Sequence, residues 1–142
     1  GAFADGRDLV VVERAAHRLR FLDASGGAPL LVPLPEGATR AGAVAAADLD
    51  GLGGDDVVVV LEGDLIARGG GVALVRDDGT AARSAVLLPV APGGFERPIA
   101  VALGDLDGDG DRDVAVARRR TAGAPTSVEG VVLWENLGAG VF

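Results

Sequence analysis

The stretch "DLDGDGDRDV", Asp105–Val114, sets five aspartates into nine residues and then turns apolar. Carboxylates packed that densely repel one another. The segment is therefore either a solvated acidic loop or a cage for something positive. Its flanks narrow the choice. "PIAVALG" (98–104) before it is small, apolar and continuous, and "DVAVARR" (113–119) after it is built on β-branched valine. Both flanks read as strands, so the acidic segment reads as the loop between them.

The loop has a sister. In "AGAVAAADLDGLGGDDVVVVLEG" (41–63) Asp48 falls on Asp105, Asp50 on Asp107, Gly53 on Gly110 and Asp56 on Asp113, an offset of 57 residues (105 − 48). Further on, "GVALVRDDG" (71–79) matches "GVVLWENLG" (130–138) at an offset of 59 (130 − 71). Two separated blocks in nearly one register make an internal repeat, and repeats decide the architecture before any single residue does. A weaker copy opens the chain: "DGRDLVVVE" (5–13) resembles the end of the aspartate block, and "HRLRFLDASGG" (17–27) stands where "GVALVRDDG" stands in the next unit. That copy lacks its first strand and most of its aspartates.

Each unit carries three or four short strand signals. They are a small apolar run, the loop, a β-branched run and an irregular connection, then "GVALV" or "GVVLW", and in the middle unit "SAVLLPV" (84–90). Helical pitch is nowhere sustained. Four short antiparallel strands in 50–60 residues is the arithmetic of a propeller blade. A sandwich has similar strands but does not explain a long repeat with a charged loop at one fixed place. The expected fold is all-β: about two and a half to three four-stranded antiparallel β-propeller blades in a single segment, 1–142. Residues 1–40 form a degenerate partial blade, 41–96 a middle blade, and 97–142 a third blade lacking its last strand. The continuous runs 41–47 and 98–104 are expected to be strands buried on both faces.

Bulk composition agrees. The chain has 142 residues, enough for one domain with a real core. Its 49% apolar content excludes disorder, and 23 glycines with 7 prolines favour many short strands. A net charge of −8 argues against a nucleic-acid partner, which would need clustered Lys or Arg. "RRR" (118–120) is read as a solvated loop. Without cysteine there is neither a disulfide nor a thiolate zinc site. No apolar run approaches the ~20 residues of a membrane span, and "GAFADGRD" (1–8) is not a signal peptide.

The chemistry of the loop follows from its spacing. A hard divalent cation such as Ca²⁺ takes six to eight oxygens at about 2.3–2.6 Å. Carboxylates on alternate residues of a tight loop can converge on one such ion. Asp105, Asp107, Asp109 and Asp113 are assigned side-chain oxygens, and Asp111 a backbone carbonyl. Gly110 supplies the turn. Mg²⁺ fits less well because it demands strict octahedral geometry and keeps its waters. An EF-hand begins the same way, but it needs a bidentate Glu at the twelfth position, and Val116 stands there between strand-like flanks. The bland alternative is an Asx-rich turn without metal. In the sister loop Asp48, Asp50 and Asp56 form a weaker candidate site, because Leu52 replaces the aspartate at the fifth position and Asp55 stands only beside the site. The first loop keeps only Asp5 and Asp8 and is expected to bind nothing.

Other chemistry finds little support. His17, the single histidine, reads as a rim residue, and no serine lies in a nucleophile-elbow context. The carboxylate pairs a glycosidase would need are already taken up by the metal pattern. Trp134 aligns with Val75 and reads as packing between blades more than as a sugar platform.

"DLDGDGDRDVAVA" followed by "AGAP", with "VVLWENLGAGVF" after it, resembles the FG-GAP or VCBS repeats of integrin-α-type β-propellers. The GAP triplet is Gly123, Ala124 and Pro125, and the closing element is Asn136, Gly138 and Phe142. The name-giving Phe-Gly pair is less clear, since Phe95 is followed by Glu96. The resemblance implies a calcium-binding loop between the first and second strands of a blade. It further implies a non-catalytic binding or adhesion scaffold at an extracellular or cell-surface location, with an unknown protein or glycan ligand. The alternatives are an accessory part of an extracellular polysaccharide-active enzyme, or an architectural piece whose propeller is completed by other chains or by the rest of a longer chain.

Overall fold

The computed structural model describes residues 9–36, 38–63, 70–77, 83–88, 98–119 and 130–142. Ten strands in these residues form three antiparallel meanders. The first sheet is β1 (Leu9–Glu13), β2 (Arg18–Leu22) and β3 (Leu30–Pro33). The middle sheet is β4 (Ala38–Ala47), β5 (Asp56–Gly63), β6 (Gly71–Val75) and β7 (Ala85–Leu87). The third is β8 (Pro98–Gly104), β9 (Asp113–Arg118) and β10 (Gly130–Trp134). Within each sheet, strands neighbouring in sequence pair in space, as short turn-linked strands should. The only helical element among the described residues is one 3₁₀ turn, Arg14–Ala16, so no described helix is long and apolar enough to cross a membrane.

Valine-rich runs with period-two alternation put one set of side chains on each face of a sheet. In the middle sheet both sets are buried. Val57, Val59, Leu61, Ala73 and Val75 join Leu19, Phe21 and Val32 of the first sheet in one core. Val58, Val60, Val72 and Leu74 join Val114, Val116 and Trp134 of the third sheet in a second core. The middle sheet is thus sandwiched between its neighbours, blade on blade, and Trp134 packs between blades. Each fully buried Val contributes about 1.5–3 kcal/mol, so the two cores supply the main cohesion.

Two arginines bridge the stack. Arg83 pairs with Asp77 and stands 5.7 Å from the centroid of the Phe21 ring, tying the middle sheet to the first. Arg76 donates to the carbonyls of Ala139 (3.4 Å) and Gly140, tying the middle sheet to the third.

One expectation is corrected. The run 41–47 feeds both cores, Ala41 and Val44 the first and Ala43 and Ala47 the second, whereas the run 98–104 is not buried on both faces. Ala46 is exposed, and in β8 Ile99, Ala100 and Ala102 are exposed as well. The reason is position: β8 packs Val101 and Leu103 toward the middle sheet, while its other face has no sheet over it among the described residues. A continuous run of small apolar residues marks a strand but does not say how many of its faces find a partner.

Candidate metal centre

The loop between β8 and β9 is held from within by its own aspartates. The amide N–H groups of Gly108 and Gly110 donate to the two oxygens of Asp105, at 2.6 and 3.1 Å. Asp109 N–H donates to Asp107 Oδ1 at 3.2 Å, and Asp111 N–H to Asp109 Oδ1 at 2.8 Å. These Asx turns curl the chain around the carboxylates. Gly110 adopts φ = 97°, a left-handed conformation that costs a side-chain-bearing residue about 1 kcal/mol or more, so the glycine expected to make the turn does so.

The result is convergence. Asp105, Asp107 and Asp109, all exposed, each offer a carboxylate oxygen, and these oxygens lie within 4.8 Å of one another. Two oxygens on one Ca²⁺ cannot be farther apart than twice the bond length, about 5 Å. The donor set is all oxygen, anionic and open to solvent, which suits a hard cation and fits Ca²⁺ in spacing.

Asp113 stands apart from this trio. It is buried, and both of its oxygens are engaged by backbone amides: Leu106 N–H donates to Oδ2 and Asn136 N–H to Oδ1, each at 2.8 Å. Asp113 thus locks the loop's start to its end and to the residues after β10. Asp111, assigned a ligand through its backbone carbonyl, donates its own N–H to Asp109, and its carboxylate is not among the converging oxygens of the described residues.

The sister loop between β4 and β5 repeats this scaffold except for the Asp111 N–H to Asp109 bond, since the Leu52 side chain has no oxygen to accept it. Gly51 and Gly53 N–H donate to the two oxygens of Asp48, at 2.8 and 3.0 Å, and Leu52 N–H donates to Asp50 Oδ1 at 3.0 Å. Buried Asp56 accepts from Leu49 N–H at 3.2 Å and from Asp77 N–H at 2.7 Å. Burial pushes the Asp56 carboxyl above its ordinary value, against the lowering effect of the Asp77 amide. The fifth position is Leu52, whose side chain stands in solvent, and Asp48, Asp50 and Asp56 do not form a converging group among the described residues.

Asn136 is a residue whose place sequence reasoning matched but whose role it missed. Fully buried, it donates through Nδ2 to the carbonyls of Leu49 (2.8 Å) and Arg112 (3.1 Å), and its Oδ1 accepts from Gly138 N–H at 3.2 Å. It therefore joins the two aspartate loops across neighbouring sheets. An uncharged residue at the strand end, where the middle unit has Asp77, was the signal available.

His17 lies at the surface in a left-handed conformation, with Nδ1–H donating to the Ala38 carbonyl at 3.0 Å. Asp5, Asp8, Phe95 and the triplet Gly123, Ala124 and Pro125 lie outside the described residues.

Stacked antiparallel meanders, two of them opened by the same aspartate loop between their first two strands, define a segment of β-propeller type. Residues 98–128 match the FG-GAP repeat family, so this part of the chain is similar to an FG-GAP repeat. No curated protein and no solved structure matches the chain.

Proposed function

We propose that this propeller segment binds Ca²⁺ through the loop of its third blade and serves as a non-catalytic binding or adhesion scaffold. The observation that carries the reading is the convergence of Asp105, Asp107 and Asp109 within 4.8 Å on one exposed loop. Three like charges at that range repel by roughly 1 kcal/mol per pair even in water. A cation relieves that repulsion, and its binding energy adds to folding energy because the unfolded chain holds no such cage. The metal's role is structural: it clamps the connection between the two inner strands of the blade. An exposed, solvent-open site of this charge suits the weaker affinities of extracellular modules, roughly 0.1–1 mM, and therefore an extracellular or cell-surface setting. The partner presented by the scaffold is a protein or a glycan.

Thermal melting in EDTA and in millimolar calcium tests the reading. The melting temperature is expected to rise with calcium, and to rise less with magnesium. Equal melting temperatures in EDTA and calcium would overturn it.

A further inference from the structure

One side chain ties the two aspartate loops together. Asp113, which closes the third blade's loop, accepts the backbone N–H of Asn136 at 2.8 Å and so fixes where that residue sits. Asn136 is fully buried. A primary amide has two hydrogens to donate, and here they go to different sheets. One reaches the Arg112 carbonyl (3.1 Å), next to Asp113 in the third blade. The other reaches the Leu49 carbonyl (2.8 Å) in the loop of the middle blade. The amide oxygen accepts the Gly138 N–H at 3.2 Å, which holds the side chain in this orientation.

Leu49 is held from three directions. Its N–H donates to Asp56 Oδ2 at 3.2 Å, its side chain lies in the second core, and its carbonyl accepts from Asn136. Asp48 and Asp50 on either side of it curl the middle loop by accepting the N–H groups of Gly51, Gly53 and Leu52. A shift at the Leu49 carbonyl therefore reaches that loop's own turn. Where the third blade has Asn136 the middle blade has Asp77, an offset of 59 (136 − 77). Asp77 makes the matching backbone bond to Asp56 at 2.7 Å, but its carboxylate has no hydrogen to donate and pairs with Arg83. The bridge thus comes from the amide side chain and not from the repeat as such.

We infer that Asn136 is a positioning residue that carries the metal state of the third loop to the middle loop. This coupling presupposes the calcium binding proposed for the third blade and extends it to the neighbouring blade. Without metal, repulsion among Asp105, Asp107 and Asp109 favours local opening of their loop. Opening draws Arg112 and Asp113 away from Asn136 and displaces the donor of the Leu49 carbonyl. A bound cation holds the loop closed and keeps Asn136 seated. Opening around Leu49 is then suppressed as well, although the middle loop forms no converging trio among the described residues. Coupling of this kind is reciprocal, so a middle loop seated on Asn136 favours calcium in the third.

Amide hydrogen exchange of the whole chain by NMR, in EDTA and in millimolar calcium, provides the test. Calcium is expected to slow exchange at Gly108 and Gly110, whose N–H groups donate to Asp105. It is also expected to slow Leu49, whose N–H donates to Asp56, by about fivefold or more. Asn136→Leu keeps the branching of the side chain without its donors and without adding charge. In that variant calcium should still slow Gly108 and Gly110, while Leu49 no longer responds. A buried substitution lowers the melting temperature whatever its role, so the split between the loops is the informative readout. Asp109→Leu, which takes a carboxylate from the trio, should silence both loops. A wild-type Leu49 that ignores calcium while Gly108 and Gly110 respond would overturn the coupling alone, and that result needs no variant to fold. So would a Leu49 response undiminished in Asn136→Leu, or one that survives Asp109→Leu, since the latter would mean that the middle loop binds calcium itself. Gly108 and Gly110 that ignore calcium in the wild type would overturn calcium binding by the third loop, and the coupling with it.

Discussion

The two aspartate loops share one hydrogen-bonded skeleton and differ in what they offer a cation. In both, the first aspartate caps two glycine amides, the third-position aspartate caps the fifth residue, and the ninth is buried against two backbone amides. Only the third blade adds carboxylates at the fifth and seventh positions, Asp109 and Asp111, where the middle blade has Leu52 and Gly54. The comparison separates two jobs that the motif D-x-D-x-D-G-x-x-D runs together. Its outer aspartates build the turn, and the fifth-position aspartate completes the converging trio on which the proposed metal binding rests.

The largest effect should come from the shared skeleton. Asp113→Ala leaves the amides of Leu106 and Asn136 without their acceptor in a buried site. Each unsatisfied group costs about 1–3 kcal/mol, so urea denaturation should show a loss of roughly 2–5 kcal/mol, with or without calcium. Asp56→Ala should cost a similar amount in the middle blade through Leu49 and Asp77. A loss at Asp113 seen only in calcium would break the parallel, because it would make that residue chiefly a ligand.

Next comes the seventh position. A Cβ built on Gly54 would stand 2.8 Å from Asp77 Cγ, closer than such atoms tolerate. Asp77 is itself buried and paired with Arg83, so it cannot move away freely. Gly54→Ala should therefore lower stability by about 1–3 kcal/mol, the usual cost of overpacking. Asp111→Gly in the third blade removes a partly exposed side chain, and denaturation should register less than about 1 kcal/mol.

The smallest change in stability should carry the largest change in binding. Leu52→Asp adds a carboxylate at an exposed position of a loop already curled like its sister. Metal-free stability should move by less than about 1 kcal/mol, while calorimetry should detect a new calcium site in the middle blade. If the substitution adds none, the fifth position is not what distinguishes the loops.

Much of this was legible in the sequence. The repeat placed β5 against β9 and β6 against β10, because valine runs of alternating face pack the same way wherever they recur. The loop was legible because its turn depends on Asp and Gly at fixed spacing, which local chemistry determines. Three things were not. Spacing supplies residue types but not neighbours, so the amides that engage Asp56 and Asp113 were invisible, and each read as a ligand alongside the other aspartates of its own loop, Asp113 beside Asp105 and Asp56 in the weaker site beside Asp48. The second is the reach of Asn136 to the Leu49 carbonyl across 87 residues of chain, a contact no local pattern encodes. The openness of β8 was hidden for a related reason: apolar runs report what a strand could bury, not whether a neighbour is there to cover it.

The most direct test of the division between skeleton and charge is a calcium titration of the wild-type chain beside Asp109→Leu, which gives the third loop the fifth residue of the second. The account predicts binding to the wild type and loss of that binding in Asp109→Leu, with the metal-free melting temperature nearly unchanged. Undiminished calcium binding by Asp109→Leu, or none by the wild type, would contradict it.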